Sequence, residues 1–335
     1  MNTATSQAAA TAAGARSPLL AVDGLSVAFA GRDGVVRAVD GVSYEIEAGR
    51  TLGVVGESGC GKSVAALALL GLVSPPGRIT AGRVLLDGSD LLALDERRLR
   101  AIRGARISMV FQEPATALNP VQMVGAQVAE SFRIHHGLSR TQAWTGAVHM
   151  LAQVGIPSPS RRARDYPHQL SGGMRQRAVI AMALACGPAL LIADEPTTAL
   201  DVTIQAQILD LMLDMQERMG MAIQFISHNL AVISEVAHEV MVMYAGRVVE
   251  RAPARALFAT PQHPYTRGLI EALPRLGGKA DFKPIPGAVP DPPALPAGCR
   301  FSDRCPLATA ECRAAEPPFE RRPDGRGVAC FKAGR

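Results

Sequence analysis

One segment governs the expected architecture: Thr51-Leu52-Gly53-Val54-Val55-Gly56-Glu57-Ser58-Gly59-Cys60-Gly61-Lys62-Ser63. Its last eight residues match the pattern G-x-x-x-x-G-K-[ST], a loop whose backbone N–H groups surround phosphate oxygens. The pattern is specific when it joins a strand to a helix. Here a short apolar run precedes it, and a helical pattern from Lys62 to Leu72 follows it. The sequence therefore predicts a phosphate-binding loop after a buried parallel strand.

Each residue type in this loop has a physical role. Its glycines let N–H groups turn inward, and the following helix N-terminus adds positive potential. Lys62 is expected to reach the β- and γ-phosphates, while the Ser63 hydroxyl ligates Mg²⁺. Lys62 is also one of only four lysines among 35 basic residues. The candidate ATP-binding residues of the loop are Gly56, Glu57, Ser58, Gly59, Cys60, Gly61, Lys62 and Ser63.

Two carboxylates follow a second apolar run, Leu190 to Ala193. Side chains at the end of a strand beside a phosphate loop suit a magnesium ion and the attacking water. We expect Asp194 to hold Mg²⁺ through water and Glu195 to act as general base. A solvated strand end is the alternative interpretation of this pair.

A second helix start also suits an anion. Ser171, Gly172 and Gly173 precede a long helical run, although a serine there also serves as an ordinary N-cap. Two such helix starts in one chain suggest that two copies enclose the nucleotide.

Composition limits the remaining possibilities. The chain has 335 residues, of which 48% are apolar and 19% charged, and a net charge of +5. These values exclude wholesale disorder and a coiled coil, and the charge is too mild to indicate nucleic-acid binding. Residues 178–193 form the longest uncharged apolar run, too short for a membrane span. We expect residues 1–17 to be a disordered tail and the chain to reside in the cytosol.

The strand and helix patterns predict a domain of the α/β class. Strand-like runs alternate with helical segments from Leu20 to Tyr244, which indicates a mostly parallel sheet. Between Pro120 and Gly187 the pattern is mainly helical, so we expect a helical subdomain over about 120–187. The ATP-binding domain would span 18–273.

Composition changes after Leu273. Ten of the 24 prolines lie between Pro284 and Pro323, and 274–335 is expected to be a small, irregular C-terminal extension. Something other than apolar burial should hold it together.

Four of the six cysteines are found there, namely Cys299, Cys305, Cys312 and Cys330. Their gaps differ from a zinc ribbon and suit a [4Fe–4S] cluster; zinc and unliganded or disulfide-bonded cysteines remain alternatives. The nearby Arg300, Arg304 and Arg313 either offset the charge of such a cluster or form a solvated face.

Taken together, these residues resemble the ATP-binding subunit of an ABC transporter, a P-loop NTPase core with an antiparallel β edge and a helical subdomain. The resemblance implies further roles for seven residues. Phe29 would stack on adenine, and Gln112 would sense Mg²⁺ and contact the membrane subunit. Ser171 to Gly173 would complete the ATP site of a partner copy, Asp201 would belong to the D-loop, and His228 would contact the γ-phosphate.

Several segments are similar to the oligopeptide and dipeptide importer branch in particular. They are residues 172–177, 197–203, 243–247 and Gln262-His263-Pro264-Tyr265-Thr266. Some members of that branch carry an iron–sulfur cluster. The resemblance implies an ATPase on the cytoplasmic face of the inner membrane, with a second ATP-binding subunit, two permease subunits and an extracytoplasmic binding protein as partners. The transported substrate would be a di- or oligopeptide. A soluble ABC ATPase in nucleic-acid or redox-linked regulation is the alternative.

Overall fold

A computed structural model of the protein describes residues 17–31, 34–112, 114–198, 200–273, 284–290 and 295–333. The predicted N-terminal tail therefore lies, apart from Ser17, outside the described residues. The strands are β1 (Leu20–Gly31), β2 (Gly34–Ile46), β3 (Thr51–Val55), β4 (Gly77–Leu86), β5 (Ser89–Asp90), β6 (Ile107–Val110), β7 (Leu190–Asp194), β8 (Ala222–Ile226), β9 (Glu239–Tyr244), β10 (Arg247–Pro253), β11 (Glu320–Arg321) and β12 (Gly327–Val328). The helices are α1 (Lys62–Leu69), α2 (Glu96–Ile102), α3 (Pro114–Ala117), α4 (Val124–His136), α5 (Arg140–Gln153), α6 (Pro159–Arg162), α7 (Gly172–Leu184), α8 (Val202–Met219), α9 (Leu230–Val236), α10 (Ala254–Ala259), α11 (Pro264–Glu271) and α12 (Ala310–Ala314).

The main sheet has eight strands in the order β11-β12-β10-β9-β3-β8-β7-β6. Its strands from β9 to β6 run parallel, whereas β10, β11 and β12 pair antiparallel at one edge. Strands β3, β7 and β8 are buried along their whole length, because helices cover both faces of a parallel sheet. The predicted α/β class with a mostly parallel sheet is confirmed.

A second sheet holds β2-β1-β4-β5 and is antiparallel throughout. Its two longest strands are β1 of 12 residues and β2 of 13. Strand β4 pairs with β1 from Leu86 opposite Leu20 to Gly77 opposite Phe29. Ala38 of β2 lies next to Gly61, so this sheet borders the phosphate-binding loop just before α1.

The helical subdomain lies between β6 and β7 in the chain. Helices α4, α5 and α7 pack on one another through small buried residues, including Ala129, Ala143, Ala147 and Ala178. This arrangement agrees with the helical pattern expected between Pro120 and Gly187. None of the described helices combines the length and apolar character needed to cross a membrane.

The described part of the C-terminal extension is mostly irregular but packs against the main sheet. Its two short strands extend the sheet edge, with Val328 opposite Glu250 and Gly327 opposite Arg251. Phe301 and Val328 are buried. Backbone pairing and a few apolar anchors therefore fix the extension, a tertiary arrangement that its proline content does not reveal.

Candidate nucleotide-binding site

The candidate catalytic residues lie where adjacent parallel strands end. Strand β3 leads into the loop that precedes Lys62, β6 is followed by Gln112, β7 ends in Asp194 and is followed by Glu195, and β8 leads to His228. Because the carboxyl ends of parallel strands meet at one edge, four distant sequence segments converge there.

The phosphate-binding loop takes a conformation that requires glycine at two positions. Gly56 has φ +153° and Gly61 has φ +100°. A Cβ atom would lie 2.2 Å from the Met243 carbonyl oxygen at the first position and 2.3 Å from the Ala38 carbonyl oxygen at the second. The neighbouring backbone therefore leaves no room for a side chain at either position.

Lys62 lies inside this loop. Its side chain is buried, and Nζ donates hydrogen bonds to the carbonyl oxygens of Gly56 at 2.7 Å and Glu57 at 3.0 Å. Phosphate oxygens entering the loop would take over these positions around the ammonium group.

Burial raises the pKa of the neighbouring Cys60 thiol, although Lys62 opposes the effect. Cys60 is thus a buried thiol of low reactivity.

Ser63 and Asp194 form the part of the site suited to a metal ion. The Ser63 hydroxyl donates to Asp194 Oδ1 at 3.1 Å. Asp194 is buried, and burial raises its pKa while the Ser63 hydrogen bond lowers it. A hydroxyl and a carboxylate, both oxygen donors, fit the preference of Mg²⁺.

Glu195 is the centre of the second half of the site. Its Oε2 accepts hydrogen bonds from Gln112 Nε2 at 3.2 Å and from Thr198 Oγ1 at 2.9 Å, and lies 3.1 Å from Nδ1 of His228. Its backbone has φ +48°, a strained conformation for a residue other than glycine and one that concentrates at functional sites. Gln112 is therefore placed on Glu195 rather than on Ser63 or Asp194. Thr198 was not among the predicted site residues, although its segment 197–203 was noted.

Three other predicted elements lie apart from this centre. Ser171 caps α7, its Oγ accepting the Met174 N–H at 3.3 Å, and Asp201 caps α8 by accepting the Ile204 N–H at 2.9 Å. Phe29 lies in β1 with its ring against Gly77. Among the described residues, no hydrogen bond or ion pair joins Phe29, Ser171 to Gly173, or Asp201 to Lys62 or Glu195.

The four cysteines of the extension meet around one small apolar pocket. Cys299, Cys305, Cys312 and Cys330 all line it, and none is in a disulfide. Burial raises the pKa of Cys299 to about 11. Within the described ranges, no set of three or more His, Cys, Asp or Glu side chains has the arrangement to hold a metal ion.

Two arginines of the extension reach the ATP-binding domain. The Arg304 guanidinium forms two hydrogen bonds to the Glu57 carboxylate, at 2.7 and 2.9 Å, and Arg300 pairs with Asp40. Neither forms a solvated face, since their side chains are only 6% and 10% exposed. Arg313 is exposed. The sequence offered no signal for the Arg304–Glu57 contact, which joins residues 247 positions apart.

Two family models match the chain. The one described as ABC transporter matches residues 39–198, and the one described as oligopeptide/dipeptide transporter, C-terminal region, matches residues 249–312. The first range contains the phosphate-binding loop, Gln112, the helix start at Ser171 and Glu195. The second contains three of the four clustered cysteines.

Curated relatives match over nearly the whole chain. The dipeptide transport ATP-binding protein of Escherichia coli is 49% identical over 313 residues, covering 93% of this chain and 96% of the relative. That of Haemophilus influenzae is 47% identical over 300 residues, covering 89% and 91%. Among solved structures, an ATP-binding cassette in a dimeric, post-hydrolysis state with ADP and Pi gives a TM-score of 0.64 at 26% identity, covering 70% of this chain and 99% of that one.

Proposed function

Since the chain belongs to the ABC transporter family of ATP-binding subunits, we propose that it hydrolyses ATP to drive the import of di- or oligopeptides. The observation that carries the proposal is the meeting of Lys62, Asp194 and Glu195 at one sheet edge, with Gln112 and His228 on the Glu195 carboxylate. The relatives described above are transport proteins, so the alternative of a soluble regulatory ATPase draws no support from them.

Each residue has a distinct task in this chemistry. The loop amides and Lys62 bind and orient the β- and γ-phosphates. Ser63 and Asp194 would hold Mg²⁺, which neutralises charge on the phosphates when bound; Gln112 would join them only after leaving the Glu195 carboxylate, where the structure places it. Glu195 accepts the proton of the attacking water, and Thr198 and His228 hold its carboxylate in place. Phe29 would stack on the adenine ring.

A second copy or close relative would complete each site. Ser171, Gly172 and Gly173 present the exposed start of α7, which suits a phosphate, yet they make no contact with Lys62 within their own chain. We infer that they face the phosphate-binding loop of a partner subunit, with Asp201 at the same interface. Two permease subunits and an extracytoplasmic binding protein complete the assembly at the cytoplasmic face of the inner membrane.

For the extension, we propose that Cys299, Cys305, Cys312 and Cys330 hold a [4Fe–4S] cluster. The support is their common pocket and their free thiols. Iron and zinc analysis separates this proposal from the alternative of a single zinc ion.

The transport proposal is tested on the intact assembly. A tagged chain, purified from detergent-solubilised membranes with its permeases and given its binding protein, should hydrolyse ATP faster when peptides are added. K62A should leave the assembly intact but abolish hydrolysis, since only the phosphate contact is lost. A hydrolysis rate that does not change when a broad peptide mixture is added would contradict the peptide assignment. Hydrolysis by K62A at the wild-type rate would contradict the ATP site.

A further inference from the structure

We propose that Arg304 is a positioning residue for the phosphate-binding loop, holding the Glu57 carboxylate away from the phosphates so that nucleotide binds more tightly. The inference rests on the proposed function only in that the loop at Lys62 binds ATP. It links the cysteine-rich extension to the nucleotide site through one ion pair.

The Arg304 side chain is held on every side. Besides its two bonds to Glu57, it donates through Nε to the Pro286 carbonyl oxygen at 2.8 Å and lies 3.3 Å from the Tyr244 hydroxyl. Its guanidinium also lies over the rings of Tyr244 and Phe301. A planar guanidinium fixed in this way offers a carboxylate two parallel hydrogen bonds in a defined direction.

Tyr265 provides a second anchor on the same loop residue. Its hydroxyl oxygen accepts the backbone N–H of Glu57 at 2.8 Å. The Tyr265 ring is buried and packs edge-on against Tyr244, with ring centroids 4.7 Å apart. The backbone and the side chain of Glu57 are thus both held from outside the loop.

The charge of Glu57 makes this restraint important for binding. Glu57 adjoins Gly56 in a loop that receives a polyanion, and Lys62 Nζ lies 3.0 Å from its carbonyl oxygen. A carboxylate free to turn inward would repel the phosphates and compete for Lys62. Arg304 is 6% exposed and Glu57 29% exposed, so removing the arginine leaves a partly buried carboxylate without its counter-charge beside the site.

The same contact connects the cysteine pocket to the loop. Arg304 ends the short turn Ser302–Arg304, which is bonded to the Cys299 carbonyl oxygen at 2.9 Å and is followed directly by Cys305. Cys299 and Cys305 are therefore both attached directly to the turn that carries Arg304.

The test is a double-mutant cycle on the full chain, read as the Kd of MgATP by fluorescence titration. R304M should weaken binding about tenfold when it is made in the wild-type chain. Made in the E57Q chain, the same substitution should change the Kd by less than about threefold, because the repelling carboxylate is already gone. In the assembled transporter, R304M should raise KM for ATP with little change in kcat.

R313M is the matched control, because it removes an exposed arginine of the same extension. It should bind MgATP as the wild type does. If R304M weakened MgATP binding about tenfold in the E57Q chain as well, Arg304 would only support the fold of the extension, and the proposal would be overturned. Wild-type affinity in R304M would also overturn it. A wild-type chain that binds no MgATP would instead overturn the proposed function.

Discussion

Nδ1 of His228 lies 3.1 Å from Oε2 of Glu195, joining the second residue after β8 to the residue that follows β7. The same carboxylate oxygen accepts hydrogen bonds from Thr198 and Gln112. The base proposed for ATP hydrolysis is therefore oriented by three side chains, while Asp194 beside it is bonded to Ser63. This separation of tasks between two adjacent carboxylates leads to the first prediction.

E195Q should retain MgATP binding and lose turnover by about 10²–10⁴-fold, since the amide cannot accept the proton of water. Lys62, Ser63 and Asp194 remain to bind the nucleotide, so the ATP-bound assembly should stay closed. The measurements are single-turnover hydrolysis and nucleotide retention on gel filtration. E235Q, which alters an exposed glutamate on α9, is the control. Turnover of E195Q within about threefold of the wild type would contradict the assignment.

Hydrolysis by the purified chain should depend on its concentration. Ser171 to Gly173 and Lys62 do not meet within one copy, so each site needs two subunits. Specific activity should rise with protein concentration and be higher still in the assembled transporter. Equal specific activity in dilute and concentrated samples, without permeases, would show that one copy suffices.

G61A should abolish nucleotide binding, because its Cβ would lie 2.3 Å from the Ala38 carbonyl oxygen at φ +100°. G59A is a matched control in the same loop. Gly59 also has positive φ, but a Cβ there meets nothing within 4 Å. It should cost about 1 kcal/mol of stability and bind MgATP within about threefold of the wild type. Comparable losses in both variants would mean that backbone strain, and not the close approach to Ala38, governs the loop.

The buried His263 should make the fold sensitive to acid. Burial lowers its pKa to about 3, and its Nδ1 accepts the Tyr265 N–H that begins α11. Its unfolded pKa is about 6.5. The contribution of His263 to the free energy of unfolding is therefore complete above pH 6.5. It declines as pH falls towards 3, because only the unfolded state gains the proton in that range. At pH 5 the loss is about 2 kcal/mol.

H263N keeps a side-chain acceptor at the helix start but does not titrate in this range. Between pH 7.5 and pH 5 it should lose less stability than the wild type, measured by urea unfolding. The pKa of Glu250 is raised by burial, and its carboxylate accepts the backbone N–H of residue 263. Because Glu250 is present in both the wild type and H263N, its effect cancels in the comparison. The exposed H149N is the control. Identical pH dependence in H263N and the wild type would refute the prediction.

The extension should carry about four irons per chain when the protein is purified without oxygen, and the sample should be brown. C312S should bleach it and lower the thermal stability of the extension, whereas C186S, which lies outside the pocket, should not. Iron and zinc analysis together with the visible spectrum give the answer. A colourless protein with one zinc per chain would show that the cysteines hold a single zinc ion and no cluster. A protein without metal would show that the four cysteines are unliganded.

What the sequence by itself determined is local. The strand, loop and helix around Gly56 to Ser63 can be predicted from glycine spacing and an apolar run. The two carboxylates at the end of β7, Asp194 and Glu195, can be predicted in the same way. Both depend on neighbours within a few residues, so periodicity and turn chemistry reveal them. The helical region between Pro120 and Gly187 can also be predicted from the sequence, because its pattern is local.

Only the tertiary structure decided which distant residues meet. Gln112 and His228 can be identified from the resemblance to ABC transporter subunits. Their contacts with Glu195, however, arise from the order of the strands in the sheet. Strands β11 and β12 are two residues long and become strands only because β10 offers an open edge. Arg304 reaches Glu57 because chain folding places the extension over the phosphate-binding loop. The physical reason is that a long-range contact depends on the path of the whole backbone, which no local pattern encodes.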